Sequence, residues 1–176
     1  MTWLLCFVCV AVLFVNLGRA EFFEPDEGRN AEKAREILLL NDWVTPHENF
    51  LPVLDKPMFF YWLVAFSYKI FGIAEWSARL PSTMFAFGCL LLVYRFSRRW
   101  WGPWAAMWSV LILLTSVEFF LLARIVIFDT TLTFCVTLAL CSFYSALHAK
   151  NEKTQKIYCL FLYGALGAGT LVKWLI

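Results

Sequence analysis

Five long apolar stretches dominate this sequence: Trp3 to Leu17, Leu80 to Phe96, Trp104 to Phe120, Ile125 to Leu147 and Ile157 to Ile176. A helix needs about 20 mostly apolar residues to cross a bilayer. With 61% of its 176 residues hydrophobic, the chain carries more apolar surface than a soluble domain of this size can hide. The expected fold is an all-α integral membrane protein with about five transmembrane helices. All six cysteines (Cys6, Cys9, Cys89, Cys135, Cys141 and Cys159) fall within apolar segments. They read as small buried hydrophobes, with neither a disulfide framework nor a metal set among them.

Charge placement gives the expected sidedness. The turn from Tyr94 to Trp101 carries Arg95, Arg98 and Arg99 with no acid, and the turn from His148 to Lys156 carries Lys150, Lys153 and Lys156 against Glu152. Alternating helices put both turns on one side, and the positive-inside rule makes that side cytoplasmic. The segment from Glu21 to Glu75, with ten acids against five Lys or Arg, then lies outside. The first apolar stretch lacks a basic leader, and Asn16 to Glu21 is a poor small-residue cleavage site, so it reads as a retained helix and not a signal peptide. The chain divides into a first membrane helix (1–20), an outer loop (21–77) and further membrane helices (78–176).

The outer loop has structure of its own. Asp26 is placed to cap a helix from Glu27 to about Asn41, whose interior Ala31-Glu32-Lys33-Ala34-Arg35-Glu36 uses good helix formers. Asn41 to Pro46 breaks it. Pro57 suits a first helical position, and the aromatic run from Met58 to Gly72 reads as a second juxtamembrane helix with rings at headgroup height. Trp100-Trp101-Gly102-Pro103 separates the second and third spans, and Glu118 and Arg124 bracket a tight outer turn.

Several side chains admit two readings each. Asp26 and Glu27 form a carboxylate pair at the outer surface, able to orient or deprotonate an acceptor; the same residues serve equally as an N-cap and a first-turn acid. Asp129 lies in an apolar helix, where a carboxylate costs roughly 2.5–3.5 kcal/mol on insertion scales and calls for a partner or a wet cavity. Arg124 would lie about 140° around a helix from Asp129, so the partner is expected across the fold. Arg29, Lys56 and Lys173 are suited to a lipid phosphate or to snorkelling. Asp55 is one candidate ligand for a divalent cation, without a visible second. No metal site is assigned, and neither His47 nor His148 is given a role.

Glu24-Pro25-Asp26-Glu27-Gly28-Arg29-Asn30-Ala31-Glu32, Trp43-Val44-Thr45-Pro46, Asp55-Lys56-Pro57, Tyr61-Trp62, Ala78-Arg79-Leu80-Pro81-Ser82, and Ala123-Arg124 with Asp129 occur in that order. The series resembles the amino-terminal part of the polyprenyl-phosphate-sugar-dependent membrane glycosyltransferases of the GT-C class. Lipid A aminoarabinose transferases are the nearest members and protein O-mannosyltransferases more distant ones. The resemblance implies transfer of a sugar from a polyprenyl-phosphate carrier to a lipid or protein acceptor at the outer face of the inner membrane. It makes Asp26 the first-loop catalytic Asp, with Glu27 beside it, and Asp129 a second functional carboxylate. Arg29 and Lys56 become cations near the donor phosphate, with Asp55 on the substrate side.

Asn30 stands where those enzymes carry Tyr, Asp55 where they carry a metal-binding Glu, and Trp174 where Gly-Pro follows the lysine. A divalent cation is the one cofactor the resemblance raises. Family members continue with further helices, so a chain carrying those helices is an implied partner. The alternative is a non-catalytic membrane protein derived from such an enzyme, regulating or assembling with a partner chain.

Overall fold

A computed structural model describes residues 2–22 and 25–173; Glu24 of the acidic motif and Trp174 lie outside the described residues. The described chain is helical apart from one small hairpin: α1 (Thr2–Phe14), α2 (Asp26–Leu40), β1 (His47–Glu48), β2 (Leu51–Pro52), α3 (Phe59–Phe71), α4 (Glu75–Thr115), α5 (Val117–Leu122), α6 (Asp129–Leu147) and α7 (Glu152–Val172). The all-α expectation therefore holds, with β1 and β2 as a two-residue-per-strand exception paired His47 to Pro52 and Glu48 to Leu51.

Helix α4 is two helices. Gly102, at φ 88° and ψ 177°, holds a backbone conformation that side chains resist, and Pro103 opens the second arm where its missing N–H costs nothing. The arms fold back on each other: Ser97 Oγ lies 3.4 Å from Ser109 Oγ, whereas twelve residues of straight helix would separate them by about 18 Å. Leu90 of the first arm and Val110 and Leu114 of the second share one core with Cys9 and Leu13 of α1.

Pro81 sits inside the first arm, where it cannot donate to the carbonyl four residues back. That carbonyl, Ser77 O, instead accepts from Ser67 Oγ of α3 at 2.6 Å. The proline thus becomes a cross-link between α3 and α4. Ser77 Oγ in turn accepts from Ala74 N at 3.1 Å and donates to Gly72 O at 2.6 Å, closing the junction at Gly72 (φ 85°).

Five expected boundaries shift. The first helix stops at Phe14, not Leu17, and Asn16 takes φ 58°. The third apolar stretch breaks at Ser116 (φ −63°, ψ 120°), leaving α5 as a separate turn and a half. The fourth helix begins at Asp129, because Ile125 to Phe128 gives its N–H groups to side chains: Val126 N to Glu27 Oε1 and Ile127 N to Ser82 Oγ. The second loop helix begins at Phe59 with Met58 at the N-cap, two residues later than Pro57 suggests, and α2 begins at Asp26 itself, with Pro25 at the N-cap and no side-chain cap.

Two helices, Glu75–Thr115 and Asp129–Leu147, are long and apolar enough to cross a membrane by length and composition. Their outward faces are apolar: Trp104, Trp108 and Ile112 recur every four residues on the second arm of α4, and Val136, Leu140, Phe143 and Leu147 follow one face of α6. Exposed apolar area of this extent suits lipid and not water. Helix α6 meets α4 at Gly88, where an added Cβ would stand 2.8 Å from the Phe134 ring. Gly88→Val should therefore lower stability by about 1–3 kcal/mol, read as a drop in thermal midpoint in detergent. Gly167→Ala, which meets nothing within 4 Å, should leave the midpoint in place.

Candidate functional site

Helix α2 turns a polar stripe into the protein. Glu27, Asn30, Lys33 and Glu36 recur every three residues and are all buried, and each is satisfied by a different part of the chain. Glu27 accepts from Arg79 Nε at 2.7 Å, Arg79 Nη2 at 3.0 Å and Val126 N at 3.0 Å. Arg79 also donates through Nη1 to Leu17 O at 2.9 Å and Ala20 O at 2.8 Å, and through Nη2 to Glu21 O at 3.0 Å. All five guanidinium donors are thus used, which is what a buried ion pair requires to offset its desolvation.

Asn30 forms the next rung. Its Nδ2 donates to Val126 O at 2.9 Å, and the Tyr61 hydroxyl reaches its Oδ1 at 3.5 Å. Both polar groups of the Val126 peptide are therefore held by α2 side chains. Burial pushes the Tyr61 phenol well up, helped by the Asp55 and Glu48 carboxylates, so it stays neutral. Lys33 Nζ lies 2.7 Å from Asp55 Oδ2, 3.4 Å from Glu48 Oε2 and 5.7 Å from the Tyr61 ring centroid. Glu36 accepts Phe50 N with both oxygens at 3.1 Å. That bond pins a hairpin tip in which Asn49 (φ 55°) and Phe50 (φ 62°) are both left-handed, the pairing a two-residue hairpin of this hand needs.

Beside this scaffold lies a cluster with unused capacity. Lys56 Nζ stands 4.1 Å from the centroid of the Phe128 ring and Lys173 Nζ 5.3 Å from the same centroid. Lys173 also reaches Asp129 Oδ1 at 3.2 Å, which supplies the partner across the fold that Asp129 calls for. The side chains of Lys173 and Asp129 are 43% and 33% exposed, so the pair is open to a ligand. Lys56 is half-buried and forms no ion pair among the described residues. Arg124 is engaged elsewhere, donating to Val12 O and Val15 O at 2.8 Å.

The other expected site residues divide. Asp26 is exposed at the first turn of α2 and forms no hydrogen bond or ion pair among the described residues. Glu27, next to it, has both oxygens committed to Arg79. Arg29 pairs with Glu48 at 2.9 Å while remaining mostly exposed. Asp55 is committed to Lys33, so a divalent cation there would have to displace an ammonium. No three His, Cys, Asp or Glu side chains converge on a metal position among the described residues. Arg79, Asn30, Lys33 and Glu36 have structural parts that the sequence reading did not assign. A charged Arg79 beside Pro81 at the head of an apolar stretch, and polar residues spaced by three in α2, were the available signals.

Residues 55–176 match the model of the dolichyl-phosphate-mannose-protein mannosyltransferase family. The chain is similar to proteins named undecaprenyl phosphate-α-4-amino-4-deoxy-L-arabinose arabinosyl transferase. That of Edwardsiella ictaluri is 32% identical over 170 residues, covering 93% of this chain and 31% of that protein. That of Pseudomonas aeruginosa is 30% identical over 176 residues, covering 98% and 32%. Among solved structures, ArnT from Cupriavidus metallidurans, in the apo state and bound to undecaprenyl phosphate, superposes with a TM-score of 0.92 at 30% identity, covering 98% of this chain and 32% of that one. The chain thus spans about a third of the length of the relatives it matches.

The two neighbouring carboxylates should differ in how far stability depends on them. Arg79→Gln, which leaves Glu27 buried without its cation, should cost about 3–5 kcal/mol. Asp26→Asn should change stability by no more than about 0.5 kcal/mol. Thermal unfolding of both variants in one detergent checks the contrast.

Proposed function

The chain belongs to the dolichyl-phosphate-mannose-protein mannosyltransferase family of membrane glycosyltransferases, and on that premise we propose that it contributes the donor-phosphate and acceptor side of a sugar transfer from a polyprenyl-phosphate carrier. The names of its relatives favour undecaprenyl phosphate as the carrier and aminoarabinose as the sugar; lipid A as the acceptor follows from the resemblance drawn from the sequence motifs. The observation that carries the reading is the Glu27 bond to Val126, which joins backbone 99 residues apart. Asp26 precedes one end of that bond by a single residue and Asp129 follows the other end by three, with the Lys56–Phe128–Lys173 cluster alongside.

In the proposed reaction the acceptor oxygen attacks the anomeric carbon in line. A carbon–oxygen bond to the acceptor forms, and the bond from that carbon to the phosphate oxygen breaks. The polyprenyl phosphate leaves with the electron pair. Asp26 orients the acceptor and takes its proton where the nucleophile is a hydroxyl. Lys56, with Lys173 and Arg29, stabilises charge growing on the phosphate. Asp129 holds Lys173 in place, and Asp55 fixes the loop before Lys56 through Lys33. Glu27 acts as a positioning residue through Arg79 and Val126. The five apolar stretches supply the membrane domain, with 21–77 on the outer side of the inner membrane and both basic turns in the cytoplasm.

Asp26→Asn should lower transfer about 100-fold or more in membranes lacking the endogenous enzyme, read as the aminoarabinose mass on lipid A, with the level of inserted protein unchanged. Turnover retained by that variant removes Asp26 from the mechanism. Lys56→Gln should weaken retention of undecaprenyl phosphate by the purified chain about tenfold, measured by native mass spectrometry, whereas Asp26→Asn should leave retention intact.

A further inference from the structure

The end of the molecule away from α2 gathers charge of one sign. From Arg79 the first arm of α4 runs to Gly102 over about 35 Å, and α6 runs from Asp129 to His148 over about 30 Å, so both basic turns stand at the same end. The two turns are joined directly: the Arg99 guanidinium hydrogen-bonds the Tyr158 hydroxyl of α7, 59 residues away. Arg99 also lies over the rings of Trp100 (5.5 Å) and Tyr158 (5.7 Å). Trp100 packs edge-on against Tyr144 and His148 at 4.9 and 5.0 Å, with Tyr144 and His148 stacked at 4.3 Å.

Around this aromatic floor stand Arg95, Arg98, Arg99, Lys150, Lys153 and Lys156, all exposed. Among the described residues only Lys156 has a carboxylate partner, Glu152 at 2.9 Å. The indole Nε1 of Trp100 is buried and has no acceptor among the described residues. This excess of cations, with the Trp100 N–H donor beneath Arg99, suits an anion carrying several acceptor oxygens. Trp101 and Trp104, 62% and 64% exposed, are indoles of the kind that sit at headgroup level.

We propose that the junction of Arg99, Trp100 and Tyr158 seats the phosphate of an anionic phospholipid from the leaflet at this end, with Arg98 and Lys153 as flanking cations. The lipid lies along the apolar outer faces of α4 and α6 and bridges the turn at Gly102 to the start of α7. This site is separate from the donor-phosphate cluster at Lys56 and Lys173, and it does not depend on the transfer reaction.

The test is native mass spectrometry of the purified chain after exchange into mixed micelles containing phosphatidylglycerol or phosphatidylcholine. Phosphatidylglycerol should be retained in preference. Arg99→Gln should reduce that retention about fivefold, the scale of one surface cation, and Lys153→Gln should reduce it too if Arg99→Gln does not fold. Tyr158→Phe removes a hydroxyl and no charge, and should also reduce it. Arg19→Gln, at the opposite end, should not. Equal retention of the two lipids, an equal loss in Arg19→Gln, or no loss in Tyr158→Phe would each overturn the assignment, the last by reducing the face to a diffuse basic field.

Discussion

The buried ion pair between Glu27 and Arg79 is the interaction on which the arrangement around α2 depends. Side chains only 2% and 4% exposed give up most of their hydration, and Coulomb attraction recovers that loss only when every remaining donor and lone pair finds a partner. Here the partners are backbone carbonyls of the segment after α1, the Val126 peptide and the two residues themselves. Four stretches of chain, the segment after α1, α2, α4 and the strip at Val126, are thereby fixed at one point. Removing either charge would leave the other stranded, so the pair sets geometry more surely than it adds net stability. Its value to the site is rigidity: α2 cannot rotate without exposing Glu27, and Asp26 is thereby held on the solvent side.

Much of this architecture was legible in the sequence. The turn at Gly102-Pro103, the separate outer helices, the break at Asn41 and the expectation that Asp129 finds a cross-fold partner all follow from local chemistry. Asp42 illustrates how local that chemistry is: hydrogen bonds from Val44 N and Thr45 N hold its carboxyl below the usual range, and they form the very turn that ends α2. What could not be read was pairing at a distance. Burying Glu27 is sensible only with Arg79, 52 residues on, and hydropathy treats Ile125 to Phe128 as helix because it cannot know that Glu27 and Ser82 claim those N–H groups. The polar stripe of α2 fails for the same reason, since good helix formers look solvent-facing until their partners are known.

Glycine and proline do work here that hydropathy alone would misread. Pro81 lies within an apolar helix, and a kink would be the ordinary outcome. Instead the vacated Ser77 carbonyl becomes an acceptor for Ser67, so the break in one helix's ladder is turned into a bond between two helices. Gly102 reverses the chain outright. Membrane helices tolerate such residues because neighbouring hydroxyls and helices answer the freed backbone groups, as Ser67 does for Ser77 O below Pro81 and Ser77 for Gly72 O.

Charge balance around the α2 scaffold supports the proposal that a phosphate enters at Lys56. Three of the four cations near the site are already answered by acids: Arg29 and Lys33 by Glu48, Lys33 again by Asp55, and Lys173 by Asp129. Among the described residues Lys56 alone has no acid partner and lies over the face of Phe128, an interaction worth about 0.5–2 kcal/mol and readily kept while an anion approaches from the other side. Both ammonium groups lie over the Phe128 ring, 4.1 and 5.3 Å from its centroid, so two cations stand within reach of one ligand. A phosphate entering there would complete the charge of Lys56 first and then compete with Asp129 for Lys173, so under the proposed function the state of Asp129 would follow donor binding.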